Sequence, residues 1–102
     1  MFGWNNKPRP TASARHILVK DEATCARLKV EIEGGADFAD IAKQYSTCPS
    51  GQRGGDLGTF KAGQMVKPFD DVVFSAALNK VHGPVKTQFG YHLIEIASRS
   101  GS

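Results

Sequence analysis

Arg53-Gly54-Gly55-Asp56-Leu57-Gly58-Thr59-Phe60 runs on into Gly63-Gln64-Met65-Val66-Lys67-Pro68-Phe69, and this segment carries three local instructions. Gly54, Gly55 and Gly58 allow positive φ and a close backbone approach, which predicts a tight turn. Asp56, set among them, is placed to bond backbone amides there. Leu57 to Phe60 reads as a short extended piece. Pro68 then fits the first turn of a helix, where a missing N–H costs nothing. Phe69, Val72, Val73 and Ala76 pack that helix inward. The glycines do not make a phosphate cradle, because no Lys-Ser/Thr follows them and no strand-to-helix setting surrounds them.

Downstream, Asn79-Lys80 marks a turn before a short strand over Val81 to Lys86. Gly83-Pro84-Val85-Lys86-Thr87-Gln88-Phe89-Gly90-Tyr91-His92 leads into a strand over Tyr91 to Arg99, where His92, Ile94 and Ile96 alternate with Leu93 as a half-buried strand requires. Upstream, Ser13 to Lys20 reads as a strand with His16 and Leu18 on one face and Ile17 and Val19 on the other. Asp21 caps a helix with Cys25, Leu28 and Ile32 at helical spacing, and Gly34-Gly35 ends it. Asp37 caps a second helix whose buried stripe is Phe38, Ile41, Ala42 and Tyr45. Cys48 to Gly55 is a loop on composition. The order of strand, two helices, strand, helix and strands predicts an α+β fold. Residues 1–12, with Gly3, Asn5-Asn6, Pro8 and Pro10, are expected to form a flexible tail with Phe2 or Trp4 resting on the domain; residues 13–99 are the domain, and residues 100–102 a second tail.

The bulk properties narrow the function classes. A chain of 102 residues, 40% hydrophobic and 23% charged, fits one soluble globular domain. The net charge of +3 is mild, and the basic residues are scattered among acids, so no nucleic-acid partner is expected. No apolar run approaches the roughly 18–20 residues of a membrane span, and the start has no signal-peptide core, which predicts no membrane partner and a cytoplasmic location. Cys25 and Cys48 form no CxxC pair and read as two free thiols. His16, Cys48 and His92 lack the short paired spacing of a zinc site, so neither metal nor cofactor is expected. No sustained heptad is present, and a monomer is expected.

The two glycine-containing segments, together with His16-Ile17-Leu18-Val19-Lys20, resemble the parvulin family of peptidyl-prolyl cis/trans isomerases, in the family's order and spacing from about Ala14 to Arg99. The resemblance implies a four-stranded antiparallel sheet surrounded by helices. It implies isomerase activity toward proline-containing peptides and unfolded or partly folded proteins. Leu57, Met65 and Phe69 match the family's proline pocket. His16 and His92 match its two side-by-side histidines, Thr87 the hydroxyl beside them, and Cys48 a position the family fills with cysteine or aspartate. Catalytic roles are therefore expected for His16, Cys48, Thr87 and His92, and substrate binding for Leu57, Met65, Phe69 and Phe89, the last bordering the pocket just before Gly90.

An aspartate could not easily replace an attacking thiolate, so an electrostatic role is expected for Cys48, with its sulfur facing the substrate carbonyl. Cys25, on an apolar helix face, is expected to pack. Two imidazoles sharing one site resist double protonation, which predicts a neutral pair at pH 7. Phosphate-directed parvulins carry a basic cluster in a long loop after the first strand. Here Lys20 is followed at once by Asp21-Glu22, so unphosphorylated X–Pro is the expected substrate, as in the small stand-alone bacterial-type parvulins. The single Trp4 leaves no room for a WW module. The competing class is a peptide-holding chaperone module that uses the same groove without catalysis.

Overall fold

The computed structural model describes residues 9–100, so the expectations for Phe2 and Trp4 lie outside the described residues. The elements are β1 (Thr11–Val19), α1 (Glu22–Glu33), α2 (Phe38–Tyr45), a 3-10 turn (Pro49–Arg53), β2 (Asp56–Lys61), α3 (Lys67–Val73), β3 (Val81–Thr87) and β4 (Gly90–Ser100). The four strands form one antiparallel sheet in the order β2-β1-β4-β3. This is the α+β architecture expected.

The helix boundaries follow from local chemistry. Asp21 accepts from the Thr24 N–H at 2.9 Å at the start of α1, and Asp37 accepts from the Asp40 N–H at 3.0 Å at the start of α2. Gly34 caps α1, and Gly35 turns the chain away from it. Cys25 and Leu28 of α1 and Phe38, Ile41 and Ala42 of α2 are buried against Ile17, Val19 and Leu93 of the sheet. On the opposite face, Phe69 and Val73 of α3 pack with Phe60 over Ala12, Ala14, Ile94 and Ile96.

Four expectations need correction. Tyr45, assigned to the buried stripe, is 39% exposed; it ends α2, and the Arg27 guanidinium covers its ring at 5.5 Å. β1 takes in Thr11 and Ala12 and β4 takes in Ser100, residues expected in the tails, because Ala12 is buried and pairs with both Phe60 and Arg99. The loop from Cys48 contains the 3-10 turn that Pro49 opens. Finally, β4 is buried on both faces over His92 to Ile94, and beyond them half-buried Glu95 and exposed Ala97 flank buried Ile96. His92, Leu93 and Ile94 are all buried because β4 is an interior strand with α1 and α2 over one face and α3 over the other. Its period-2 alternation therefore chooses which of two covered faces a side chain enters.

Candidate active site

The register brings the histidines together. His16 pairs with Ile94 and Leu18 with His92, so His16 and His92 are diagonal neighbours on adjacent antiparallel strands and share the α3 face. Their Nδ1 atoms lie 2.9 Å apart, and the rings are nearly parallel at 20° with centroids 5.1 Å apart. Phe69 of α3 stands edge-on to both, at 5.5 Å from His16 and 5.3 Å from His92.

Hydrogen bonds extend the pair in both directions. The Ser50 hydroxyl lies 3.3 Å from Cys48 Sγ and 3.2 Å from His16 Nε2. His92 Nε2 lies 2.7 Å from the Thr87 hydroxyl, and Thr87 Oγ1 accepts from the Phe89 N–H at 3.1 Å. The result is one hydrogen-bonded chain from the Phe89 amide to the Cys48 sulfur. Burial pushes both imidazoles down to about 4, with the neighbouring His92 adding to the effect at His16. A neutral pair was expected from mutual repulsion; removal from water is the larger cause.

The loop that delivers Cys48 and Ser50 is stitched to the sheet. The Thr47 N–H and hydroxyl both donate to the Leu18 carbonyl, at 2.8 and 3.2 Å, and the Leu18 N–H donates to Ser46 Oγ at 3.1 Å. The Gly55 N–H donates to the Ser50 carbonyl at 2.8 Å, and the His16 N–H donates to the Gly55 carbonyl at 2.9 Å. Gly55 sits at φ +87, where a Cβ would collide with the His16 carbonyl oxygen. Gly54 and Gly55 thus do what was expected of them, with Gly55 approaching the backbone of His16 and Gly54 approaching Ala39. Asp56 bonds an amide as expected, accepting from the Gly58 N–H at 2.8 Å.

Beside the histidines opens a groove of about 530 Å³. One wall is Leu57, Met65, Val66 and Phe69; the other side carries His16, His92, Cys48, Leu18, Pro49 and Phe89, with Thr47 and Gln64 at the edges. Every residue expected at the site lines this groove except Thr87, which is buried behind His92 and reaches it only through that ring. Phe89 is 61% exposed and forms a rim. No Lys, Arg, Asp or Glu is among the groove's lining side chains in the described residues. Among those residues, no group of three His, Cys, Asp or Glu side chains is arranged to hold a metal ion. Among the described residues, no helix is long and apolar enough to cross a membrane.

Ser50 is the residue the sequence did not reveal. It is 3% exposed and joins His16 to Cys48. The available signal was Pro49, which opens the turn that folds Ser50 back beneath Cys48. Cys25, by contrast, is fully buried under α1, its thiol pushed up to about 11 by burial, and touches none of this chemistry.

This constellation has relatives. A family model described as a PPIC-type PPIASE domain matches residues 3–100. The chain belongs to this family of peptidyl-prolyl cis/trans isomerases. It is 48% identical over 96 residues to the foldase protein PrsA of Geobacillus sp. (strain WCH70), covering 93% of this chain and 34% of that protein. Its fold superposes on a peptidylprolyl isomerase (PrsA) structure from Bacillus anthracis with a TM-score of 0.88 at 33% identity, covering 94% of this chain and 45% of that one. It also superposes on NmPin, the parvulin of Nitrosopumilus maritimus, with a TM-score of 0.79 at 34% identity, covering 89% of this chain and 99% of NmPin. The isomerase domain therefore spans about a third of the length of the PrsA relatives, and about the whole of the small parvulin.

Proposed function

We propose that this isomerase domain acts on unphosphorylated X–Pro bonds in peptides and in unfolded or partly folded proteins, twisting the amide inside the apolar groove. The observation that carries the reading is the pairing of an apolar wall with two neutral imidazoles in a groove whose described lining holds no charged side chain. Amide resonance sets a rotation barrier of about 18–20 kcal/mol. The twisted amide has lost that resonance and is less dipolar than the planar one. A water-poor, uncharged site therefore favours the twisted form over the planar form, and only such differential binding accelerates rotation. Each tenfold gain in rate requires about 1.4 kcal/mol of that difference.

In this scheme Leu57, Met65 and Phe69 grip the pyrrolidine ring while the carbonyl end swings. Met65 adapts to the ring, and Phe69 offers a flat apolar face. Cys48 presents a weakly polar sulfur, held in place by the Ser50 hydroxyl. His16, His92 and Thr87 order the groove floor and keep it neutral. A phosphate before proline would meet no guanidinium or ammonium partner along the described lining, which disfavours phosphorylated substrates. Leu18, Pro49 and Phe89 give the residue preceding proline an apolar surface. The working unit in this reading is a monomer; light scattering at assay concentration tests this.

Peptides identical except for a phosphoryl group on the residue before proline test the substrate class. The unphosphorylated peptide should be turned over with the larger kcat/KM. A preference for the phosphorylated form, or for acidic residues before proline, contradicts the proposal. Acceleration of a proline-limited refolding reaction at catalytic protein concentration tests the extension to protein clients, for which the foldase relatives supply the precedent.

A further inference from the structure

We propose that Arg99 is a positioning residue for the isomerase reaction, acting through α3 on the proline-gripping wall. The inference rests on the assignment of that wall above. Arg99 lies at the far end of β4 from His92 and is half-buried. Its Nη1 donates to the Val73 and Ala76 carbonyls, each at 2.8 Å, where α3 ends. One guanidinium nitrogen thus binds two carbonyls beyond the reach of α3's own hydrogen-bond ladder.

α3 depends on such help. It has only seven residues, no side-chain cap at its N-terminus, and no basic residue in its own last turn. A helix this short has no independent stability, and its C-terminal carbonyls carry partial negative charge that a cation offsets. Arg99 supplies that cation from the sheet. Phe69 projects from α3 onto both imidazoles. Asp70 on the same helix accepts from the Gly63 N–H at 2.9 Å, which ties the segment leading to Met65 to α3. A shift of α3 therefore moves Phe69 and Met65 together. Because β4 carries both His92 and Arg99, one strand sets the groove floor and anchors the helix that forms its wall.

The test compares Arg99→Ala and Arg99→Lys with Leu28→Val, a substitution beneath α1 on the opposite face of the sheet that serves as a stability control. All are assayed as the full chain, below their unfolding transitions, with an unphosphorylated X–Pro peptide. Arg99→Ala is expected to lower kcat/KM by roughly ten- to a hundredfold through misplacement of the wall, with faster amide exchange across α3. Arg99→Lys, which keeps the cation and a donor, should recover most of the loss, and Leu28→Val should keep the wild-type kcat/KM of its folded fraction. Equal kcat/KM for Arg99→Ala and wild type overturns the proposal, as does a loss matched by Leu28→Val or left unrescued by lysine. If wild type itself accelerates no exchange, the isomerase assignment fails first, and amide exchange across α3 alone then decides whether Arg99 anchors the helix.

Discussion

The two faces of the sheet are built from the same strands and do different work. Beneath α1 and α2 the packing is apolar, with Ile17, Val19 and Leu93 meeting Cys25, Leu28, Phe38, Ile41 and Ala42, and the Arg15 guanidinium closing its edge over the Phe38 ring. On the α3 face, His16 and His92 take the positions next to Ile17 and Leu93 and are joined by buried Thr87 and Ser50. One step along β1 or β4 moves from a packing residue to a site residue. Buried polar groups are costly unless each finds a partner. Here every buried side-chain nitrogen and oxygen among the described residues has one. The lesson is that a tightly packed face holds the strands in register while the other carries an ordered polar chain beside an open groove.

The sharpest way to break this division is Phe69→Ala, because Phe69 belongs to both the α3-side core and the groove wall. It should cost about 3–5 kcal/mol of stability and most of the activity, read by denaturant titration and by peptide exchange on the same sample. Leu28→Ala should cost about 2–5 kcal/mol yet leave kcat/KM of the folded molecules intact; a large fall in kcat/KM would show that the faces are not separable. Met65→Ala is the converse. Met65 is only partly buried, so the unfolding midpoint should move little while kcat/KM falls by about tenfold or more.

A pH series sharpens the comparison without mutation. Unfolded imidazoles take up protons near 6.5, whereas His16 and His92 in the fold do so at about 4. Between those values the unfolded state binds more protons, so stability rises with pH. The contribution of the pair is full above about 6.5 and is lost as pH falls to about 4. Stability from urea titrations should slope across that window, and activity should hold until the pair begins to protonate; a flat stability profile contradicts the neutral-pair description. The smallest effect is expected from Cys48→Asp, which should keep much of the activity in the peptide assay, whereas complete loss would favour a thiol-specific step.

Most of the fold was legible because its signals are local. Asp21 and Asp37 announce their helices, Pro68 opens α3, and Gly54 and Gly55 sit where a side chain would strike Ala39 and the His16 backbone respectively. The groove residues were legible through a family pattern, since nothing in their spacing places Leu57 beside Phe69 or His16 beside His92. What escaped was set by tertiary partners. Ser50 looks like a loop serine until the turn buries it against His16, and Tyr45 fits the helical stripe until Arg27 covers it at the surface. Arg99 reads as an ordinary terminal basic residue, and its carbonyl partners lie 23 and 26 residues away in sequence. Long-range hydrogen bonds of this kind leave no periodicity to read.

The most direct test of the division between faces is two-dimensional NMR exchange on an unphosphorylated Ala-Xaa-Pro-Phe peptide with catalytic amounts of wild type, Met65→Ala and Leu28→Ala. Cis and trans signals should exchange far faster with wild type than in free peptide, slow with Met65→Ala, and remain fast with folded Leu28→Ala. Binding shifts without faster exchange in wild type, or equal slowing by both variants, would contradict it.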